Sequence, residues 1–174
     1  VPEAITRLDL VEWQIRIASG ERLPALQSDI RASGPAVEAR ITAERADRDF
    51  RPDVGRIVGY REPENLRVDS GVVAGSEVTL FYDSLLAKAI AVGETRDTAC
   101  TRLASGLREF SILGPATTIP FLVDAVEHPI FSQGNATTDF IAEAFPEGWK
   151  PARPQVRLAR ATAALLMLDA LPAH

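Results

Sequence analysis

Cysteine occurs once in this 174-residue chain, methionine once and histidine twice. Cys100 has no partner for an internal disulfide, so the fold does not draw on oxidation, and a reducing cytoplasm is the expected setting. His128 and His174 with one cysteine do not supply a zinc site. No G-x-S-x-G elbow occurs, which weakens any reading as a self-contained hydrolase. G-x-x-x-x-G-K-[ST] and G-x-G-x-x-G are missing too, so a nucleotide loop would have to lie elsewhere. Long apolar runs are lacking. The most apolar stretch, Ala161 to Leu168, is eight residues between Arg160 and Asp169, far short of the roughly 20 that span a bilayer. No signal peptide, internal repeat or low-complexity tract is visible. A net charge of −5 argues against nucleic acid as the main partner, because phosphates need a basic face. The chain starts at Val1 and its one methionine is Met167. It is therefore expected to be a fragment or processed product holding only part of an active site.

The composition is otherwise that of a globular protein, 46% hydrophobic and 25% charged, with length enough for one domain and its core. Asp9 with Glu12 three residues on resembles a capping box for a helix over residues 9–19, whose apolar face is Leu10, Trp13 and Ile17, widened by Val11, Ile15 and Ala18. Gly20 ends it. A short segment follows over Ala25 to Arg31. Val37, Ala39 and Ile41 alternate with Glu38 and Arg40 as in a strand. A polar loop is expected over 44–53. Strands are expected over 55–61, 66–72 and 78–82, and a strand covered on both faces over 85–92. Thr95 and Asp97 open a helix with an Ala99, Cys100, Leu103, Leu107 and Phe110 stripe. Shorter helices are expected over 118–127, stopped at His128-Pro129, and over 138–145. Pro146, Gly148, Pro151 and Pro154 mark a linker into a last helix from Gln155 to Leu171. The fold class is α+β: an antiparallel sheet of short strands with helices packed on it.

Most candidate chemical groups have a plain structural role. Cys100 belongs to its helix stripe, His128 caps a helix end, and the Asn135-Ala136-Thr137 sequon is a loop. Arg67 has two readings. Leu66 and Val68 face one way, Arg67 and Asp69 the other. The guanidinium is then either an anion-stabilising group held by a carboxylate, or a surface Arg paired with Asp69. Glu38 and Arg40 share that alternation and by spacing alone form a solvated face.

An ordered set of stretches resembles the C-terminal domain of biotin carboxylases. Val1-Pro2-Glu3 resembles the V-T-E after the catalytic Q-V-E-H-P segment, and Asp9 to Gln14 the helix after the ATP-grasp active site. Ala36 to Ile41 with Ala43-Glu44 resembles A-I-E-A-R-I-N-A-E. Gly55-Arg56-Ile57, Arg67 to Val72, and Tyr82-Asp83-Ser84 with Ala87-Lys88 follow in order. Ile119 to Leu122, Thr138, Phe140 to Glu143 and Phe145 to Gly148 complete it, most similar to propionyl-CoA carboxylase α subunits. The departures are Pro35 in G-H-A, Arg7 for a usual Gly, Thr42 and Thr118 for usual Asn residues, and a loop shortened to Pro63-Glu64-Asn65.

The resemblance implies a domain over 1–148, with 149–174 leading into the next segment. It implies part of a ligase that uses ATP, bicarbonate and magnesium to carboxylate protein-bound biotin. In it Arg67 is the catalytic, biotin-binding residue, supported by Asp69, Glu38, Arg40, Tyr82 and Asp83. The ATP, metal and bicarbonate ligands of the family precede Val1. The implied partners are the ATP-grasp part of the enzyme, a biotin carboxyl carrier, a second copy in a homodimer, and a carboxyltransferase subunit. The alternative is a non-catalytic dimerisation or docking domain.

Overall fold

Local sequence signals open the chain. A short helix α1 (Pro2–Thr6) starts on a proline, which lacks only an amide that would be unpaired there anyway. It stops at Arg7, which takes the left-handed conformation (φ 61°). Asp9 then accepts the Glu12 amide at 2.9 Å and starts α2 (Leu10–Ala18). The return half of the expected capping box is not made, because the Glu12 carboxylate pairs with Arg16 instead. Gly20 ends α2 at φ 92°. Its N–H bonds the Ile17 carbonyl, and the Glu21 N–H bonds that of Arg16, closing the helix in a Schellman motif. The computed structural model describes residues 1–151. The helix expected from Gln155 to Leu171 lies outside the described residues.

Three strands carry the main sheet. In β1 (Ala36–Thr42), Val37, Ala39 and Ile41 are buried, as their alternation requires. The stretch read as a polar loop contains a small hairpin, β2 (Glu44–Arg45) with β3 (Arg51–Pro52). The strand expected over 55–61 is broken into β4 (Gly55–Arg56) and β5 (Gly59–Arg61). Each finds a different partner. At the break the Ile57 amide donates to the Ser76 carbonyl and the Val58 amide to that of Leu113. Beside it a Cβ on Gly114 would lie 2.4 Å from the Arg56 carbonyl oxygen, an approach open only to glycine. Next come β6 (Arg67–Ser70) and β7 (Glu77–Val78). The strand expected to reach Tyr82 stops at Val78, and Leu80, Phe81 and Tyr82 stand out from the surface, Phe81 being 91% exposed. β8 (Leu85–Val92) runs between β1 and β6, antiparallel to both.

Alanine at 87, 89 and 91 gives β8 a flat inner face. Helix α3 (Arg96–Glu109) packs there through Ala99, Cys100, Leu103, Ala104 and Leu107. Thr95 and Thr98 cap α3 reciprocally, each hydroxyl taking the other's amide at 3.2 and 2.9 Å. β9 (Ser111–Leu113) pairs with β5, and β4 with β7. Helix α4 (Ile119–Glu127) adds Val123 and Val126 to the core. His128 ends it and caps α5 (Pro129–Ser132), its Nδ1 accepting the Ile130 amide at 3.3 Å. A second cluster gathers Phe121, Phe140 from α6 (Phe140–Ala144) and Trp149, whose Nε1 donates to Asp124 at 2.7 Å. Trp149, in the stretch read as a linker, is buried. The result is the expected α+β arrangement, an antiparallel sheet with α3 and α4 packed on one face.

Candidate functional site

Register builds the site on the face of the sheet turned away from α3. Glu38 on β1 and Arg67 on β6 both lie opposite Ile90, and Arg40 and Asp69 both lie opposite Lys88. Directly opposed residues share a face. Glu38, Arg40, Arg67, Asp69 and Lys88 are therefore on one side, with the alanines of β8 on the other. Ile90 shares the polar face, is buried, and is not part of the core beneath α3.

Arg67 is the centre of this face. Its Nε donates to Asp69 Oδ1 at 3.0 Å and its Nη2 to Asp69 Oδ2 at 3.3 Å, a two-toothed grip on one carboxylate. Nη2 also donates to Glu3 Oε2 at 3.4 Å, across 64 residues of sequence. Lys88 Nζ lies 3.4 Å from Asp69 Oδ2. These contacts hold the Asp69 carboxyl below the usual carboxylate range, chiefly through the Arg67 hydrogen bond and then through Lys88. The same carboxylate raises the Arg67 guanidinium further above its already high value. The side chain of Arg67 is 51% exposed. Three of the five N–H donors of a guanidinium are engaged, which leaves both hydrogens of Nη1 directed at no protein acceptor among the described residues. A fixed cation with two spare donors suits an oxyanion.

The other expected residues fall into two groups. Glu38 and Arg40 share the sheet face with Arg67. Tyr82 and Asp83 do not reach it: Tyr82 is 85% exposed on the loop after β7, and Asp83 accepts the Leu85 amide at 2.7 Å, turning the chain into β8. Glu3 and Lys88 were not among the expected site residues. Lys88 could have been found from period-two alternation along 85–92. Glu3 carries no such signal, since only the folded chain brings α1 over β6. Cys100 is buried and its thiol is pushed up by desolvation, as its place on the α3 stripe requires. A concavity of about 640 Å³ lies elsewhere, between Phe50, Phe145 and Trp149. Among the described residues no cluster of His, Cys, Asp and Glu could hold a metal ion, and no helix is long and apolar enough to cross a membrane.

Comparison with known proteins gives clear likenesses for the chain as a whole. Residues 38–143 match the biotin carboxylase C-terminal domain family. The chain is 46% identical over 145 residues to a biotin carboxylase of Nostoc sp., covering 82% of this chain and 32% of that protein. It is 36% identical over 187 residues to the propionyl-CoA carboxylase alpha chain of Ruegeria pomeroyi, covering 94% and 28%. Among solved structures it resembles the biotin carboxylase subunit of a pyruvate carboxylase, with TM-score 0.79, 39% identity, and 83% of this chain against 32% of that one. It also resembles the biotin carboxylase domain dimer of Hydrogenobacter thermophilus 2-oxoglutarate carboxylase in complex with MgADP and bicarbonate, with TM-score 0.78, 41% identity, and 81% against 32%. The chain thus spans about a third of the length of these relatives or less.

Proposed function

Since the chain belongs to the family of biotin carboxylase C-terminal domains, we propose that it is part of a biotin carboxylase, a ligase that uses ATP and bicarbonate to carboxylate protein-bound biotin. The observation that carries this reading is the half-exposed guanidinium of Arg67, gripped on one edge and free at Nη1. Biotin, when bound, supplies the ureido nitrogen that accepts the carboxyl group. Negative charge would develop on the ureido oxygen of biotin held there. Arg67 meets the charge with two donors and never releases its own proton. Asp69 fixes the plane of the guanidinium, and Lys88 offsets the carboxylate. Arg40 adds positive charge on the same face and Glu38 borders it.

ATP and magnesium belong to the ATP-grasp part of the enzyme, the first of the proposed partners. Two exposed apolar surfaces support such a partner. One is the face of α2, where Val11 and Ile15 are 60% and 63% exposed, and the other is the Leu80-Phe81-Tyr82 loop. The unit that docks comprises residues 1–148, with Trp149 packed against it. The further partners are a biotin carboxyl carrier and a carboxyltransferase subunit, which chooses the acceptor. A second copy joins through the exposed parts of the sheet and of α3, a reading supported by the dimer of the solved relative. The cytoplasm is the setting. The test is ADP release by the complete enzyme containing this chain, with free biotin and bicarbonate added separately and together. Release that requires both supports the reading; release indifferent to biotin would falsify it.

A further inference from the structure

We infer that Glu3 is a positioning residue for Arg67, so that the N-terminal helix sets where the biotin-facing guanidinium points. The inference rests on the role of Arg67 proposed above.

Asp69 cannot do this alone. It sits two residues along the same strand, and its grip uses the inner edge of the guanidinium, Nε and one hydrogen of Nη2. The Oδ2 atom in that grip is shared with the Lys88 ammonium at 3.4 Å. An Arg side chain that is 51% exposed keeps wide rotamer freedom when one divided carboxylate is its only tether. Glu3 supplies the second tether from a different element. Its Oε2 takes the remaining hydrogen of Nη2 at 3.4 Å. Nη2 is then fully used, and Nη1 is the end left for a ligand. Helix α1 is itself fixed to the body, since the Ser33 amide donates to the Ile5 carbonyl at 2.8 Å. The local charges balance: Glu3 and Asp69 face Arg67 and Lys88. The guanidinium is thus aimed by two carboxylates while the lysine offsets one of them.

The experiment uses the complete enzyme, with Glu3→Ala, Glu3→Gln, Arg67→Ala and the Glu3→Ala/Arg67→Ala double variant. Biotin-dependent ADP release gives kcat and the KM for free biotin, and thermal melting reports the fold. Glu3→Ala is expected to lower kcat about tenfold, less than the ~100-fold that a misplacement of about 1 Å costs. The biotin KM should change little, because the interaction matters most as charge develops. Glu3→Gln, which keeps an acceptor oxygen, should recover part of the loss, with the melting temperature unchanged. The double variant should be no slower than Arg67→Ala, since Glu3 acts only through Arg67. Normal kcat in Glu3→Ala beside a crippled Arg67→Ala overturns the inference and leaves the role of Arg67 intact. A further loss in the double variant also overturns it. Normal turnover in Arg67→Ala removes the premise and the inference together.

Discussion

A single guanidinium carries the chemistry assigned to this chain, and its energetics separate function from folding. Arg67→Ala should cost the complete enzyme on the order of 100- to 1000-fold in turnover, the usual loss on removing one preorganised donor to a developing oxyanion. Arg67→Lys should recover little of it, because a point-like ammonium cannot grip Asp69 at two atoms and still present two donors. Stability should shift by only about 0–1 kcal/mol in either variant, since the pair is half exposed. Biotin carboxylation rates beside melting curves check this, and near-normal turnover in Arg67→Ala would return the domain to a docking role. Not every departure from the family pattern touches the site. Arg7, where the family uses Gly, sits at φ 61°, the conformation glycine takes without strain. Thr42 and Thr118, both at positions of usual Asn residues, meet each other across 76 residues. Their hydroxyl oxygens are 3.1 Å apart, and the Thr42 amide donates to Thr118 Oγ1 at 3.0 Å. Sequence alone shows two unrelated substitutions there; the fold makes them one hydrogen-bonded pair.

Elements rather than residues decide where Arg67 stands. Leu66, just before it, packs over Gly106 of α3, where an added Cβ would lie 2.4 Å from Leu66 Cδ1. Gly106→Ala gains about 1 kcal/mol of helix propensity but overpacks a close contact, which typically costs 1–3 kcal/mol. A net loss of roughly 1 kcal/mol is expected from urea unfolding, and a more stable variant would show that β6 is not held this way. Tyr60 on β5 gives a pH test of the adjoining strands. Its hydroxyl lies 2.7 Å from Ser70 Oγ and 2.9 Å from Glu62 Oε1, and burial first, then Glu62, pushes it up to about 12. The folded state therefore holds the proton more tightly than the unfolded chain. The stabilisation is complete below pH ~10 and is lost as pH rises towards about 12. Absorbance titration should show this late phenolate in wild type and not in Tyr60→Phe; a Tyr60 that ionises near 10 contradicts the packing. β1, α3 and α4 were legible because burial on one face leaves a repeating pattern, β8 because it is apolar almost throughout, and α2 from its Asp9 cap and amphipathic spacing, although that helix buries none of its residues here. The pieces of two or three residues were legible only in part: β4 and β5 were read as one strand, β7 was touched only at Val78, and β9 was missed. β4, β5, β7 and β9 are set by distant partners and by the close approach at Gly114, which no local pattern encodes. Within the site, Arg67 and Asp69 could be read from alternation, Lys88 from register, and Glu3 only from tertiary contact.

The molecule as a whole reads as one part of a larger machine. Its core is complete beneath the sheet, yet α2 keeps an apolar face exposed, with Ile15 at 63%, and Leu80, Phe81 and Tyr82 project from the loop after β7. Exposed apolar surfaces of this kind fit the docking to a larger partner proposed above. The division of chemistry follows from the same geometry. Arg67, with Asp69 and Lys88, can hold an oxyanion, but no Gly-rich phosphate loop occurs in the sequence, and no metal-holding carboxylate cluster is found among the described residues. Calorimetry of the 174-residue chain with Mg-ATP should therefore give no heat of binding at micromolar concentrations. The complete enzyme should bind the nucleotide under the same conditions and turn it over only with biotin and bicarbonate present. Micromolar binding by the chain alone would mean that it holds its own phosphate cradle, and the assignment of nucleotide chemistry to the ATP-grasp part would fall. Binding by the complete enzyme with silence from the chain would place the energy source on one side of the docking surface and the guanidinium proposed to hold biotin on the other.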